Sequence, residues 1–209
     1  MERVRIVELG LNPYEATLKA MREFTAERGP DTTDEFWLLE HPPVYTLGLA
    51  ADPAHGPRVD HGIPVVRAER GGEITYHGPG QAVLYTLVDL ARRGVKVKQF
   101  VSMLEQSVIE LLEGHAERNA GRATRVAGAP GVYVDGAKVA ALGIRVSRGC
   151  AFHGLALNVD MDLAPFSAID PCGYPGLRVT QTRDLGITDS KETLGRRLAA
   201  ILVRKLEHA

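Results

Sequence analysis

Residues 132–146, VYVDGAKVAALGIRV, are the stretch that decides the fold. Apolar residues, several of them β-branched, dominate 132–134 and 139–146, and Asp135 and Gly136 lie between these two runs. An Asp-Gly pair between apolar runs is typical of a tight hairpin turn, since both turn positions need positive φ. The stretch therefore predicts two neighbouring antiparallel strands.

Further strand patterns occur at 35–40, 44–47, 82–87 and 152–159. Apolar residues at helical spacing predict a helix over 97–113. Two more helices are expected, one capped by Asn12 and one that begins after Asp189. Strands that do not alternate regularly with helices predict an α+β fold, with a mostly antiparallel mixed sheet covered by helices. Without an evident linker or repeat, residues 1–209 are predicted to form a single catalytic domain.

The composition argues against several classes of protein. Lys and Arg number 25 against 26 Asp and Glu, which disfavours a nucleic-acid binder with a broad basic surface. No apolar run approaches the roughly 20 residues of a membrane span, and the charged start is unlike a signal peptide. Two cysteines make no disulfide framework, so a cytoplasmic protein is expected. The scattered histidines and the missing P-loop predict neither a metal site nor a bound cofactor.

Cys172 lies in Asp170-Pro171-Cys172-Gly173-Tyr174-Pro175-Gly176, where two prolines and two glycines exclude helix interior. A thiol on such a turn suits a nucleophile that meets a substrate. A buried cysteine under a loop is the alternative. The other cysteine, Cys150, is expected to pack.

Lys138 directly follows the predicted hairpin turn. As a solvated edge residue it would have no chemical role, and lysine is rarely buried. Pointing inward, it could act as a base when neutral or stabilise a thiolate when charged. The sequence leaves both possibilities open.

Residues 70–81, RGGEITYHGPGQ, combine glycines with polar side chains. They form either a folded turn or a loop that a substrate approaches closely, and the polar residues favour the binding loop. His153, in a predicted strand, is a secondary candidate; a structural hydrogen-bonding role is its simpler interpretation.

Four motifs together resemble the octanoyl-acyl-carrier-protein:protein octanoyltransferases, the lipoyl(octanoyl) transferases that share a fold with lipoate and biotin protein ligases. They are residues 70–81, residues 131–143, residues 152–159 and Pro171-Cys172-Gly173. The resemblance implies that Cys172 is the nucleophile and Lys138 the second catalytic residue. It also implies these acyl-substrate contacts: Arg70, Gly71, Gly72, Glu73, Ile74, Thr75, Tyr76, His77, Ala141, Leu142, Gly143, Gly154, Leu155 and Ala156.

By the same resemblance, an octanoyl or lipoyl group passes from acyl carrier protein to Cys172 and then to a lysine of a lipoyl domain. The implied acceptors are the lipoyl domains of 2-oxoacid dehydrogenase complexes and the glycine cleavage H protein. Two alternatives remain. An ATP-dependent lipoate or biotin protein ligase of the same fold would need no cysteine nucleophile, and a non-catalytic lipoyl-domain-binding protein would tolerate its loss.

Overall fold

The computed structural model describes residues 4–52, 56–59, 62–115, 122–170 and 176–209. A seven-stranded sheet has the order β1-β2-β6-β10-β9-β8-β7, and a three-stranded sheet has the order β4-β3-β5. The strands are β1 Arg5–Leu11, β2 Glu35–Glu40, β3 Val44–Leu47, β4 Val65–Arg67, β5 Ile74–His77, β6 Gln81–Asp89, β7 Ala123–Val126, β8 Ala129–Val134, β9 Ala137–Ser147 and β10 Cys150–Asn158. The α-helices are α1 Tyr14–Glu27, α2 Val97–Glu113 and α3 Lys191–Glu207, and short 3₁₀ helices span Ala164–Ala168 and Thr182–Leu185.

The α+β prediction is confirmed. Only β1 with β2 and β3 with β4 pair in parallel; the other neighbouring pairs of the described strands are antiparallel. The predicted hairpin is β8–β9, with positive φ at Asp135 (49°) and Gly136 (75°). This is the geometry that favours Asp-Gly.

The large sheet is buried on both faces. Because successive strand residues point to opposite sides, Leu84 packs in the core under α2 and α3, whereas Val83 and Tyr85 pack in the core under α1. A third cluster, which includes Tyr45, Tyr76 and Phe166, lies on the small sheet. Helix α1 contacts β10, and residues of the small sheet line a cavity together with residues of β9 and β10.

The predicted cap of α1 is wrong. Asn12 Nδ2 donates to the carbonyl of Leu9, and no side chain caps this helix. At α3, Ser190 accepts from the N–H of Thr193, so a cap forms there. No helix of the described residues is long and apolar enough to cross a membrane.

Candidate active site

A cavity of about 700 Å³, including the space at its open mouth, lies between β9, β10 and the segment that leads into β5. Its wall along β9 runs from Lys138 to Gly143, a span of six residues or roughly 16 Å of strand. Beyond Gly143 the N–H of Gly71 donates to the carbonyl of Ile144 at 3.0 Å. The cavity is therefore a channel that extends along β9, with Lys138 toward one end of this wall.

The structure brings most of the predicted site residues to this one cavity. Those lining it are Arg70, Gly72, Glu73, Ile74, Thr75, His77, Lys138, Ala141, Leu142, Gly143, His153, Gly154, Leu155 and Ala156. Gly71 and Tyr76 are absent from the lining: Gly71 crosses above Gly143, and Tyr76 packs on Tyr45 and Phe166. Whether the lining residues bind a substrate stays a prediction.

The sequence patterns missed part of the lining. Tyr14, Val83, Tyr85, Asn158, Phe166 and Val179 also line the cavity. Tyr14 begins α1 and Tyr85 lies in the middle of β6, and both read from sequence as ordinary core residues. Their place in the cavity lining depends on how α1 packs on the sheet, and no local sequence pattern predicts that packing.

Gly143 allows the loop to cross the sheet. A Cβ atom at Gly143 would lie 2.6 Å from the carbonyl oxygen of Gly71, a separation that side chains do not tolerate. Arg70 anchors the loop from the other side, because its Nη2 donates to the Thr46 carbonyl at 2.7 Å and to Thr46 Oγ1 at 2.8 Å. Gly143 thus provides the space in which the loop crosses, and Arg70 holds the loop in place.

Lys138 points inward and is only 3% exposed, so the solvated-edge interpretation is wrong. Its Nζ donates to the Pro130 carbonyl at 3.1 Å and lies 5.1 Å from the centre of the Tyr133 ring. A cation over an aromatic face is favourable, more so where water is excluded. The main chain of Lys138 is fixed by hydrogen bonds to Arg178 and Thr180.

Cys172 lies outside the described residues, so its prediction as the nucleophile remains untested. It precedes Arg178 by six positions in the sequence. The Arg178 carbonyl accepts from the N–H of Lys138 at 2.8 Å, so a segment that follows Cys172 closely in sequence pairs with the main chain of Lys138.

Cys150 is buried and free, as the packing prediction expects. Burial is the main cause that raises the pKa of its thiol. A raised pKa leaves little thiolate at neutral pH, which makes Cys150 a poor nucleophile.

His77 is held as a neutral imidazole. Gln81 Nε2 donates to Asn158 Oδ1, so Gln81 Oε1 accepts from His77 Nδ1–H at 2.7 Å. Desolvation, followed by the neighbouring His41, lowers the pKa of His77 to about 3. We therefore expect His77 mainly to order the loop.

His153 contradicts the expectation of a hydrogen-bonding structural histidine. Both ring nitrogens are buried and lack a hydrogen-bond partner among the described residues. Its φ of 64° breaks the strand alternation, which places its ring against Phe152 at 4.9 Å and near Tyr85 at 6.0 Å. Burial, with Arg70 as the second cause, lowers its pKa to about 3. Strained backbone with an unpaired polar group is typical of functional sites.

His41, His77 and His153 predict a marked loss of stability in acid. Burial is the largest cause in each case, and it lowers their pKa values from 6.5 to about 4, 3 and 3, respectively. The unfolded chain therefore binds more protons below pH 6.5, so the free energy of unfolding falls as pH drops toward the folded pKa values. At pH 5 each histidine should cost about 2 kcal/mol relative to pH 8.

Urea unfolding at pH 8 and pH 5 would measure this loss. In His153→Asn the difference between the two pH values should shrink by about 2 kcal/mol. A change at the exposed His208, for example His208→Asn, should leave the difference unaltered. Equal free energies of unfolding at both pH values would contradict the assignment of buried neutral histidines.

The part of the chain that the structure covers contains no group of three or more His, Cys, Asp or Glu arranged to hold a metal ion. The cavity instead offers an apolar channel, a buried amine and neutral imidazoles. Such a site can hold an acyl chain and move a proton beside its carbonyl end.

The fold and the apolar cavity beside a buried amine are typical of proteins that bind and transfer acyl groups. Comparison with known proteins shows the family. Residues 13–199 match the model of the lipoyl protein ligase A/B catalytic domain, and the chain belongs to that family. The chain is 58% identical over 198 residues to an octanoyltransferase of Aromatoleum aromaticum, covering 95% of this chain and 84% of that protein. It is 59% identical over 199 residues to an octanoyltransferase of Thiobacillus denitrificans, covering 95% and 89%.

Solved structures show the same fold. A lipoate-protein ligase A bound with ATP is similar with a TM-score of 0.77 and 17% identity, covering 99% of this chain and 86% of that one. The biotin protein ligase of Aquifex aeolicus is similar with a TM-score of 0.58 and 13% identity, covering 100% and 71%. At these identities the likeness concerns the fold alone.

Proposed function

We propose that this protein is an octanoyltransferase, an acyltransferase that moves an octanoyl or lipoyl group from acyl carrier protein to a lysine of lipoyl domains. The observation that carries the proposal is the 58–59% identity, across nearly the whole chain, to proteins named octanoyltransferase. The channel beside Lys138 supports it independently, because an apolar channel suits an extended acyl chain. The acceptors would be the lipoyl domains of 2-oxoacid dehydrogenase complexes and the glycine cleavage H protein, all met in the cytoplasm.

In the first half-reaction the Cys172 thiolate attacks the thioester carbonyl of the donor. The carrier thiol leaves and takes up the proton that Lys138 had received from Cys172. Exchange between two thioesters is nearly isoenergetic, which makes cysteine a natural acyl carrier. The binding loop at 70–77 and the facing parts of β9 and β10 would hold the acyl chain during this step.

The thiol must be activated. A free thiol has a pKa of about 8.5 and is only roughly 3% thiolate at pH 7. A fall of two units makes the thiolate dominant and requires about 2.7 kcal/mol of favourable interaction. The Lys138 ammonium, buried at 3% exposure, can supply this because its charge is poorly screened there.

In the second half-reaction the acceptor lysine attacks the acyl-Cys172 carbonyl. Neutral Lys138 takes the proton that the amine loses, an amide forms, and Cys172 leaves as thiolate. Lys138 ends as the ammonium, ready to stabilise that thiolate. Main-chain N–H groups near Cys172 are the candidates for binding the oxyanion, because the N–H of Gly71 already donates to the Ile144 carbonyl and Gly71 crosses at Gly143, roughly 16 Å along β9 from Lys138.

Free octanoate with ATP and Mg²⁺ distinguishes the transferase from the ligase of the same fold. We expect a lipoyl domain to be modified with octanoyl-acyl carrier protein and to stay unmodified with octanoate, ATP and Mg²⁺. The reverse result would favour the ATP-dependent ligase. Modification with neither donor, together with tight binding of the lipoyl domain, would favour the non-catalytic binding protein.

His77→Ala should lower the transfer rate by about tenfold, mainly because the loop loses its hydrogen bond to Gln81. Since the pKa of His77 is about 3, its imidazole is already neutral above pH 5. It should therefore contribute no limb near pH 6.5 to the pH–rate profile of the transfer reaction. A pH–rate profile that loses a limb near 6.5 in His77→Ala, but not in Lys138→Ala, would make His77 the base.

A further inference from the structure

One peptide unit lies between a buried carboxylate and the Lys138 amine. Glu105, on α2, is 9% exposed, and its Oε1 accepts from the N–H of Gly131 at 3.1 Å. The carbonyl of the same peptide, that of Pro130, accepts from Lys138 Nζ at 3.1 Å. Because a peptide is planar, the two hydrogen bonds together fix the direction in which the carbonyl points. Glu105 is therefore connected to Lys138 through two hydrogen bonds in series.

Gly131 makes this arrangement possible. Its φ of 144° is outside the range that side chains favour, and a Cβ atom there would lie 2.7 Å from the Ala140 carbonyl and 3.0 Å from Lys138 Cε. The glycine thus leaves room for the lysine side chain. It also presents its N–H to α2, which runs beneath the hairpin.

The two hydrogen bonds should strengthen each other. A carboxylate that pulls on the peptide N–H makes the carbonyl oxygen more negative, and hydrogen bonds in such chains are cooperative in a poorly solvated interior. A more negative carbonyl binds an ammonium better than an amine. The other oxygen of Glu105 lies 3.2 Å from Arg125 Nε, so Arg125 competes for the same negative charge.

We propose that Glu105 is a positioning residue for Lys138: acting through the Pro130–Gly131 peptide, it orients the amine and stabilises its protonated state. This inference rests on the proposed function, in which Lys138 alternates between ammonium and amine. Glu105 touches neither substrate nor Cys172 in this scheme. It sets the pH at which Lys138 becomes available as a base.

Several other groups share the cavity with Lys138 or lie beside it. Arg70, Glu73, His77 and His153 share the cavity lining, the Tyr133 ring lies beneath the amine, and Arg178 lies on the adjacent segment. His77 and His153, with pKa values of about 3, stay neutral above pH 5. Burial raises the pKa of Tyr14, which also lines the cavity, to about 12. None of these three titrates between pH 6 and 9.

The test is a single-turnover measurement, against pH, of acyl transfer from preformed octanoyl-enzyme to a lipoyl domain. In this half-reaction Cys172 is acylated and does not titrate, and the acceptor lysine is the same for every variant. A displacement of the rising limb of the pH–rate profile between variants therefore reports a change at Lys138. Glu105→Gln keeps an oxygen acceptor for Gly131 and removes the charge. We expect its limb to move to lower pH by about one unit, a tenfold change in the amine fraction.

Glu110→Gln is the matched control. Glu110 lies on the same helix but on the surface, paired with Arg204 and Lys205, and its loss should leave the limb in place. Arg125→Gln is the second variant, and it keeps the test valid if Glu105→Gln folds poorly. Arg125→Gln removes the cation that competes for the negative charge of Glu105. The rising limb of its pH–rate profile should therefore move to higher pH.

An unmoved limb in both Glu105→Gln and Arg125→Gln would overturn the inference, and so would an equal shift in Glu110→Gln. A purely structural role would lower the melting temperature and the plateau rate without moving the limb. Failure of the proposed function gives a different result: Lys138→Met would then keep full transfer.

Discussion

Cys172→Ala is expected to abolish transfer of octanoyl groups to lipoyl domains. The only proposed carrier of the acyl group is lost, so the rate should fall by at least about 10⁴-fold, as for other nucleophile deletions. Cys172→Ser should be nearly as inactive, because a hydroxyl is far less ionised than a thiol. The measurement is the rate of lipoyl-domain octanoylation by mass spectrometry.

Cys150→Ala is the control for this result. Cys150 is buried and its pKa is raised, so its loss should keep most of the activity. Substantial octanoylation by Cys172→Ala would end the covalent mechanism. Equal losses in the two variants would mean that the wrong thiol is assigned, or that the two act together.

Changes at Lys138 should separate charge from proton transfer. Lys138→Met should move the pH midpoint of Cys172 alkylation by iodoacetamide upward, toward about 8.5. It should also slow acyl transfer by about 10²–10⁴-fold, the usual contribution of a general acid or base. Lys138→Arg keeps the charge but cannot act as a base. It should retain much of the alkylation reactivity, lose transfer to the amine, and accumulate partly acylated enzyme.

Lys205→Met is the matched control, since Lys205 is a lysine on α3 paired with Glu110. It should change neither alkylation nor transfer. An unchanged alkylation profile with intact transfer in Lys138→Met would reduce Lys138 to a packing residue of the hairpin. Cys172 could still be the nucleophile in that case.

Local patterns predicted those parts of the fold that local physics determines. The Asp135-Gly136 turn needs positive φ at both positions, and the structure has it there. The helix predicted over 97–113 is α2, Val97–Glu113, because its apolar stripe is regular. Strand β7, Ala123–Val126, was not predicted. It is short and mostly exposed, and its pairing with β8 gives it a strand conformation.

Those parts of the candidate site in which a sequence motif determines the backbone conformation were predictable. Those parts that depend on the packing of distant elements were not. In the motifs at residues 70–81 and 131–143, Gly80, Gly131 and Gly143 lie at close crossings, where a Cβ atom would come within 2.7 Å of a main-chain oxygen. The left-handed backbone of His153 has no sequence signal, since a strand pattern predicts negative φ there. Glu105 is 26 residues from Gly131 in sequence, so only the packing of α2 under β8 reveals their hydrogen bond.

The proposed mechanism requires a thioester between the acyl group and Cys172, and the intact mass of the enzyme would show whether this thioester forms. The enzyme is mixed with octanoyl-acyl carrier protein in the absence of a lipoyl domain, quenched in acid and weighed, and the adduct is located by digestion. We expect one octanoyl group on the peptide that contains Cys172, and we expect it to be lost on addition of a lipoyl domain. Wild-type enzyme that octanoylates a lipoyl domain at full rate, without any adduct on that peptide, would contradict it.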